Sequence, residues 1–233
     1  MLSVCMPTYN GEKFIRRQLS SILRQLGKND EIVISDDSST DKTVEIIKSL
    51  NDERIRLLEG NKFHSPIYNL ENALKNAHGD FIFLSDQDDE WVDDKVHVCM
   101  ENLKNFDLII HNANVVDADG KEIAESFFKI NHTKGGRIYN LFKNGYLGCC
   151  MCFSRNLLDS FLPFPKNLPM HDIYIGNYAA FNGFKVKFIS EKLIHYRRHG
   201  HNASITGEKS HRKLSARIAD RILILKSIRK RHS

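Results

Sequence analysis

The chain has 233 residues, 41% hydrophobic and 27% charged, long enough for one sizeable core and too long for a disulfide-stapled miniprotein. The net charge of +5 hides two parts: residues 1–208 hold 25 Lys or Arg against 28 Asp or Glu, whereas residues 209–233 hold nine bases against Asp220 alone. A basic body coating nucleic acid is therefore excluded, and the basic tail needs its own explanation.

The first residues carry no basic and apolar leader pattern, so no signal peptide is expected. No run of about 18 apolar residues occurs, so no membrane-spanning helix is expected either. Five cysteines, an odd number, point to a reducing cytosol. The sequons at Asn131 and Asn202 then read as chance matches.

In chain order, Leu2 to Met6 reads as a short apolar strand. Ile15, Leu19, Ile22, Leu23 and Leu26 repeat at helical spacing before Gly27. Ile32–Ile34 is a second strand, followed by a Ser/Asp/Thr run that can cap a helix carrying Val44, Ile47 and Leu50. Ile55–Leu58 is a third strand, residues 67–76 a helix, and Phe81–Leu84 a fourth strand. Such alternation implies right-handed crossovers and a mostly parallel α/β sheet, with ligands at the carboxyl ends of its strands. Three polar clusters fall at those ends: Thr8-Tyr9-Asn10, Asp36-Asp37 and Asp86 to Asp89.

The second half is less regular. Leu108–Ile110 and Gly148–Phe153 read as strands, residues 117–147 as a polar, mobile loop with a short helix that shapes acceptor choice. Residues 172–181 suit a helix, and Val186–Ile189 and Leu193–Tyr196 two short strands. Residues 209–232 suit a basic amphipathic helix with a stripe of Leu214, Ile218, Ile222, Leu225 and Ile228. Such a helix either meets an anionic membrane surface or packs on its own domain. RNA is disfavoured because no aromatics interleave with the charge.

Asp86-x-Asp88-Asp89 offers hard oxygen ligands suited to Mg²⁺ or Mn²⁺ bridging a diphosphate, or else an acidic turn capping the next helix. Asp37 can accept from a base edge or ribose hydroxyl, or cap its helix together with Thr40 or Asp41. The only tryptophan, Trp91, can stack on a sugar or staple the following helix. Cys149-Cys150-Met151-Cys152 lacks the paired spacing of a zinc site and reads as buried strand.

Val4 to Gly11, Ile32 to Asp41 and Leu84 to Trp91, in that order and spacing, resemble glycosyltransferase family two over roughly residues 1–200. The resemblance implies the GT-A nucleotide-diphospho-sugar transferase fold and transfer with inversion at the anomeric carbon. Residues 1–116 would be its nucleotide-sugar-binding half and 117–205 its acceptor-binding half, with 206–233 the appended C-terminal helix. By resemblance, Pro7, Thr8, Tyr9, Asp37, Asn69 and Asp86 line the nucleotide site and Asp88 holds the Mn²⁺ or Mg²⁺. The family Asn usually follows Arg; here Tyr68 precedes Asn69. Asp172 of Met170-His171-Asp172 matches the family's catalytic base, with His171 where Glu is commoner and so near the acceptor. Arg197 and His199, in an Arg-x-His-x-x-Asn segment resembling rhamnosyltransferase-like members, would reach the diphosphate, and His199 could complete the metal shell.

The expected activity is transfer of a sugar, from dTDP-rhamnose or a UDP-sugar, to a hydroxyl of a glycan or lipid-linked glycan in cell-surface polysaccharide synthesis. The expected place is the cytoplasm, at the inner face of the membrane. A catalytically silent sugar-nucleotide-binding scaffold and a sugar nucleotidyltransferase are the alternatives. The latter lacks its Gly-rich basic loop, for Thr8 to Lys13 supplies none.

Overall fold

The computed structural model describes residues 1–200 and 214–229. Expectations on residues 201–213 and 230–233, including Asn202 and both ends of the basic tail, lie outside the described residues.

The first half alternates as the apolar periodicity requires: β1 (Leu2–Thr8), α1 (Ile15–Leu23), β2 (Glu31–Asp36), α2 (Thr43–Ser49), β3 (Ile55–Leu58), α3 (Pro66–Lys75) and β4 (Phe81–Leu84). Helix α1 buries Ile15, Leu19 and Ile22. Pro66 opens α3, where its missing N–H costs nothing. Strands β1 and β2 are buried almost throughout, as inner strands of a parallel sheet must be. Gly79 lets β4 start against β1, because a Cβ there would lie 2.6 Å from the Ser3 nitrogen.

The remaining elements are β5 (Glu90–Trp91), α4 (Lys95–Leu103), β6 (Leu108–Val116), β7 (Glu122–Ala124), α5 (Phe127–Ile130), α6 (Arg137–Phe142), β8 (Met151–Ser154), α7 (Arg155–Phe161), α8 (His171–Phe181), β9 (Val186–Arg197) and α9 (Leu214–Arg229). Among the described residues one mixed sheet forms, in the order β3-β2-β1-β4-β8-β6-β9-β5, with β7 beside β6. Strands β1 to β4 are mutually parallel; β8 joins β4 and β6 antiparallel, and β5 joins β9 antiparallel. Thr8 pairs with Asp36 and Cys5 with Leu84, so the polar clusters after β1, β2 and β4 emerge at one edge.

Several expectations change in the second half. The two short strands are one, β9, whose pairing to β6 shifts register after His111. Residues 117–147, expected as a loop with one short helix, hold two short helices, α5 and α6, and the strand β7. Gly148–Cys150 is a 3-10 turn, so only the end of the expected strand is extended. Helix α7 follows, capped by the Ser154 hydroxyl, and its Phe161 packs edge-on against Tyr174 and Tyr178 of α8. All five cysteines are buried thiols. Helix α9 packs on α8 and buries Ile224 and Ile228, while Ile222 of the expected stripe is 48% exposed. Of the expected stripe, Ile228 thus faces the body and Ile222 does not.

Candidate active site

The chain leaves β1 at Thr8 and β2 at Asp36 side by side, and two carboxylates divide the work there. Asp36 is structural: it accepts from the Thr8 hydroxyl at 2.9 Å and from the Ser39 N–H and hydroxyl at 2.9 and 2.6 Å. Asp37 turns the other way, into a cleft of about 350 Å³, and accepts from the backbone N–H groups of Phe63 and Ser65. Asp41, rather than Thr40, meets the start of α2: it accepts from the Thr43 N–H at 2.9 Å, one residue outside the N-cap position of Lys42.

Pro7, Thr8, Tyr9, Asp37, Asn69, Asp86, Asp88 and His171 all line this cleft, together with His64, Ser65, Pro66, Gln87, Met170 and Tyr196. Asn69 donates to the Thr8 carbonyl at 3.0 Å, and its buried Oδ1 has no hydrogen-bond partner. Gln87 ties the two loops together: it donates to the Tyr9 carbonyl at 2.9 Å and accepts from the Tyr9 N–H at 2.9 Å. Buried Gln18 holds the acidic loop from beneath, donating to the Ser85 hydroxyl at 2.7 Å and the Asp86 carbonyl at 3.0 Å.

Beyond Asp86–Asp89 the chain forms β5, sewn to β9 through Glu90 opposite His195 and Trp91 opposite Ile194. This pairing brings the end of β9 to the acidic loop. The His199 Nε2 lies 2.8 Å from Asp88 Oδ2, its ring stacked on Phe14 at 4.8 Å. The Arg197 N–H donates to Asp89 Oδ1 at 2.9 Å. Its guanidinium, in a residue only 1% exposed, donates to the carbonyls of Asp88, Asp117 and Ala118 at 2.9–3.0 Å. Its Nε and Nη1 thus brace the acidic loop and residues 117–118 through backbone, while Nη2 lies 3.9 Å from Glu90; the expected contact with the diphosphate is not among these. Trp91 is also corrected: it is 1% exposed, packed on Phe83 beneath the buried ammonium of Lys95 at 4.2 Å, and does not line the cleft. Its staple role, not sugar stacking, is what the structure displays.

Electrostatics single out the acidic loop. Burial, with the charges of Asp88 and Asp172, pushes Asp86 up to about 7. Burial and the charges of Asp88 and Asp86 hold Asp89 well above the ordinary range. Carboxylates this crowded resist joint ionisation unless a cation neutralises them. Oxygen donors of this kind, with the buried, unpartnered Asp89 Oδ2 among them, are the chemistry a divalent ion takes, and His199 meets Asp88 beside them. The Cys149 sulfur lies within 4.8 Å of donor atoms of Asp86 and Asp89, a neighbour that sequence spacing did not reveal.

Asp172 opens α8 beside His171 and is 6% exposed. Burial lifts its carboxyl to about 6, against hydrogen bonds from the Ile173 N–H and the Asn144 side chain. It lies near enough to Asp86 for its charge to be felt there. Burial lowers His171 to about 4, so its ring is neutral at physiological pH, and its Nδ1 is buried without a hydrogen-bond partner.

A mixed sheet with a nucleotide-sized cleft at its parallel edge and a carboxylate loop across it defines a GT-A glycosyltransferase fold. The family model for glycosyl transferase family 2 matches residues 3–162, and the chain belongs to that family. It is 32% identical over 167 residues to the UDP-Glc:alpha-D-GlcNAc-diphosphoundecaprenol beta-1,3-glucosyltransferase WfgD of Escherichia coli, a match covering 69% of this chain and 63% of that one. It is 27% identical over 214 residues to the dTDP-rhamnosyl transferase RfbG of Shigella flexneri, covering 84% and 72%. The structure of Staphylococcus aureus TarS 1–349 in complex with UDP-GlcNAc superposes with a TM-score of 0.73 at 22% identity, covering 97% of this chain and 66% of that one. The chain therefore spans less than two thirds of WfgD.

Proposed function

We propose that this chain transfers a sugar from a nucleoside-diphosphate sugar to a glycan hydroxyl with inversion, as a metal-dependent enzyme. The observation that carries this is the gathering of Thr8, Asp37, Asn69, Asp86, Asp88 and His171 in one cleft, with buried Asp172 next to His171 and close enough to Asp86 to raise it. Asp37, Thr8, Tyr9 and Pro7 would hold the base and ribose, and the unpartnered Asn69 Oδ1 offers an acceptor to the same ligand. Asp88 and His199 would hold Mn²⁺ or Mg²⁺, which when bound would offset charge on the leaving diphosphate. Asp172 would take the proton of the acceptor hydroxyl as its oxygen bonds to the anomeric carbon and the bond to the diphosphate oxygen breaks. A carboxyl lifted to about 6 is still ionised at neutral pH and more basic than an ordinary one.

The named activities of WfgD and RfbG support a UDP-sugar or dTDP-rhamnose as donor and a lipid-linked glycan as acceptor. We place the reaction at the cytoplasmic face of the membrane, with residues 209–233 touching anionic lipid. No described helix is long and apolar enough to cross a membrane.

The test is to incubate the protein with Mn²⁺, a panel of nucleotide sugars and diphosphoprenol-linked sugar acceptors, following nucleoside diphosphate release and the product's anomeric configuration. Acceptor-dependent release with an inverted product is expected. Binding without release would favour the silent scaffold, and release of pyrophosphate from sugar phosphate and nucleoside triphosphate would favour the nucleotidyltransferase.

A further inference from the structure

Helix α6 presents two faces. Asn140 and Leu141 are buried, whereas Ile138 and Phe142, one turn apart, are 58% and 67% exposed. Ile222 of α9, 48% exposed, belongs to the neighbouring helix, whose Arg221 donates to the Phe142 carbonyl at 3.1 Å. Exposed Phe and Ile in adjacent elements form the kind of apolar patch that marks an interaction site. The segment around it is basic: residues 125–147 contain Lys129, Lys134, Arg137 and Lys143 against Glu125, with Lys129 paired to Glu125 at 3.2 Å and Arg137 over the Phe181 ring at 5.6 Å. Large apolar side chains ringed by flexible cations are the composition of an interfacial membrane anchor.

The patch is wired to the active site. Asn144, two residues beyond Phe142, lies near enough to Asp172 for its side chain to lower that carboxyl. The Asn144 carbonyl accepts from Asn131 at 3.0 Å, and its Oδ1 accepts from the Tyr146 N–H at 3.0 Å. The segment that carries the apolar tip is thus tied through Asn131 and Tyr146 beside Asp172, the base proposed above.

We propose that the exposed face of α6, with Ile222 and Arg221 beside it, docks on an anionic lipid bilayer and so brings a lipid-linked acceptor to Asp172. This rests on the lipid-linked acceptor reading above and deepens it: the body, and not only the basic tail, supplies the membrane contact. Phe142 and Ile138 enter the acyl boundary, and Lys134, Arg137 and Lys143 face the headgroups.

The test uses the full chain with sedimentable vesicles of phosphatidylcholine alone or with a quarter phosphatidylglycerol, at low and physiological salt. The wild type should partition onto the anionic vesicles, and Ile138→Ser/Phe142→Ser should lower that partition about tenfold or more. Lys134→Gln/Arg137→Gln/Lys143→Gln should lower it most at low salt. Unchanged partition of the Ser variant, with nucleotide-sugar binding showing it folded, overturns the proposal. So does a concentration-dependent dimer that the Ser variant abolishes while vesicle binding stays absent, since the face then belongs to a second copy. Transfer to a soluble acceptor by the same Ser variant judges the glycosyltransferase reading separately, because neither residue lies in the cleft.

Discussion

Asp172→Asn is the most informative substitution, because one atom change moves activity and stability in opposite directions. As general base the carboxylate is worth roughly two to four decades of rate, so kcat should fall at least a hundredfold while donor binding is nearly intact. In the wild type, kcat/KM should rise tenfold per pH unit below about 6 and level off above it. Stability follows from the same burial. A carboxyl raised from 3.8 to about 6 binds its proton more tightly folded than unfolded. Its contribution is therefore most favourable below about 4, and stability is lost as pH rises through about 6. At 1.36 kcal/mol per pKa unit the full cost of the ionised form is about 3 kcal/mol. The amide keeps one acceptor for the Ile173 N–H but meets Asn144 less well, which reduces the expected gain to about 1–2 kcal/mol at pH 7.5. Differential scanning calorimetry from pH 4 to 8, beside initial-rate assays, reads both quantities. A variant that is inactive yet no more stable at pH 7.5 than at pH 4, relative to wild type, would refute the burial argument. Full activity would place the base elsewhere.

Other substitutions probe the surroundings. Arg197→Lys cannot serve the carbonyls of Asp88, Asp117 and Ala118 together, and should cost about 2–4 kcal/mol in urea unfolding, with weaker metal-dependent binding. Trp91→Phe should leave transfer within about threefold of wild type while costing stability through its packing on Lys95 and Phe83; a hundredfold loss of rate with stability kept would return Trp91 to the substrate. Asp37→Asn should weaken nucleoside diphosphate binding by about tenfold or more without altering its metal dependence, as titration calorimetry would report.

The first half of the fold was legible because buried parallel strands and amphipathic crossovers have strong periodic signatures: Ile15, Leu19 and Ile22 point inward as their spacing demands. Asp37, Asp86 and Asp88 were legible for a related reason, since residues after parallel strands share one edge. The second half was harder. The antiparallel addition β5 is two residues long, too short to show a period, and the apolar run holding β8 did not reveal that its first half is a 3-10 turn. Arg197 and Trp91 carried functional expectations from their chemical types, but burial decided otherwise, and burial is set by the β5–β9 pairing between distant segments. Gln18, Gln87 and Phe14 left no local signal, as each acts through a contact some 70 residues or more away in sequence. His64, Ser65 and Pro66 had one available cue, the Ser-Pro start of α3.

In the proposed mechanism the Asp86–Asp89 loop and His199 would hold a divalent ion that binds a nucleotide diphosphate in this cleft. Calorimetric titration of UDP and dTDP, with Mn²⁺ and with chelator, tests it most directly, using wild type, Asp88→Asn and His199→Ala. Binding to the wild type should weaken at least tenfold with chelator, and both variants should lose that metal dependence. Equal affinity with and without metal in the wild type, or full metal dependence in Asp88→Asn, would contradict it.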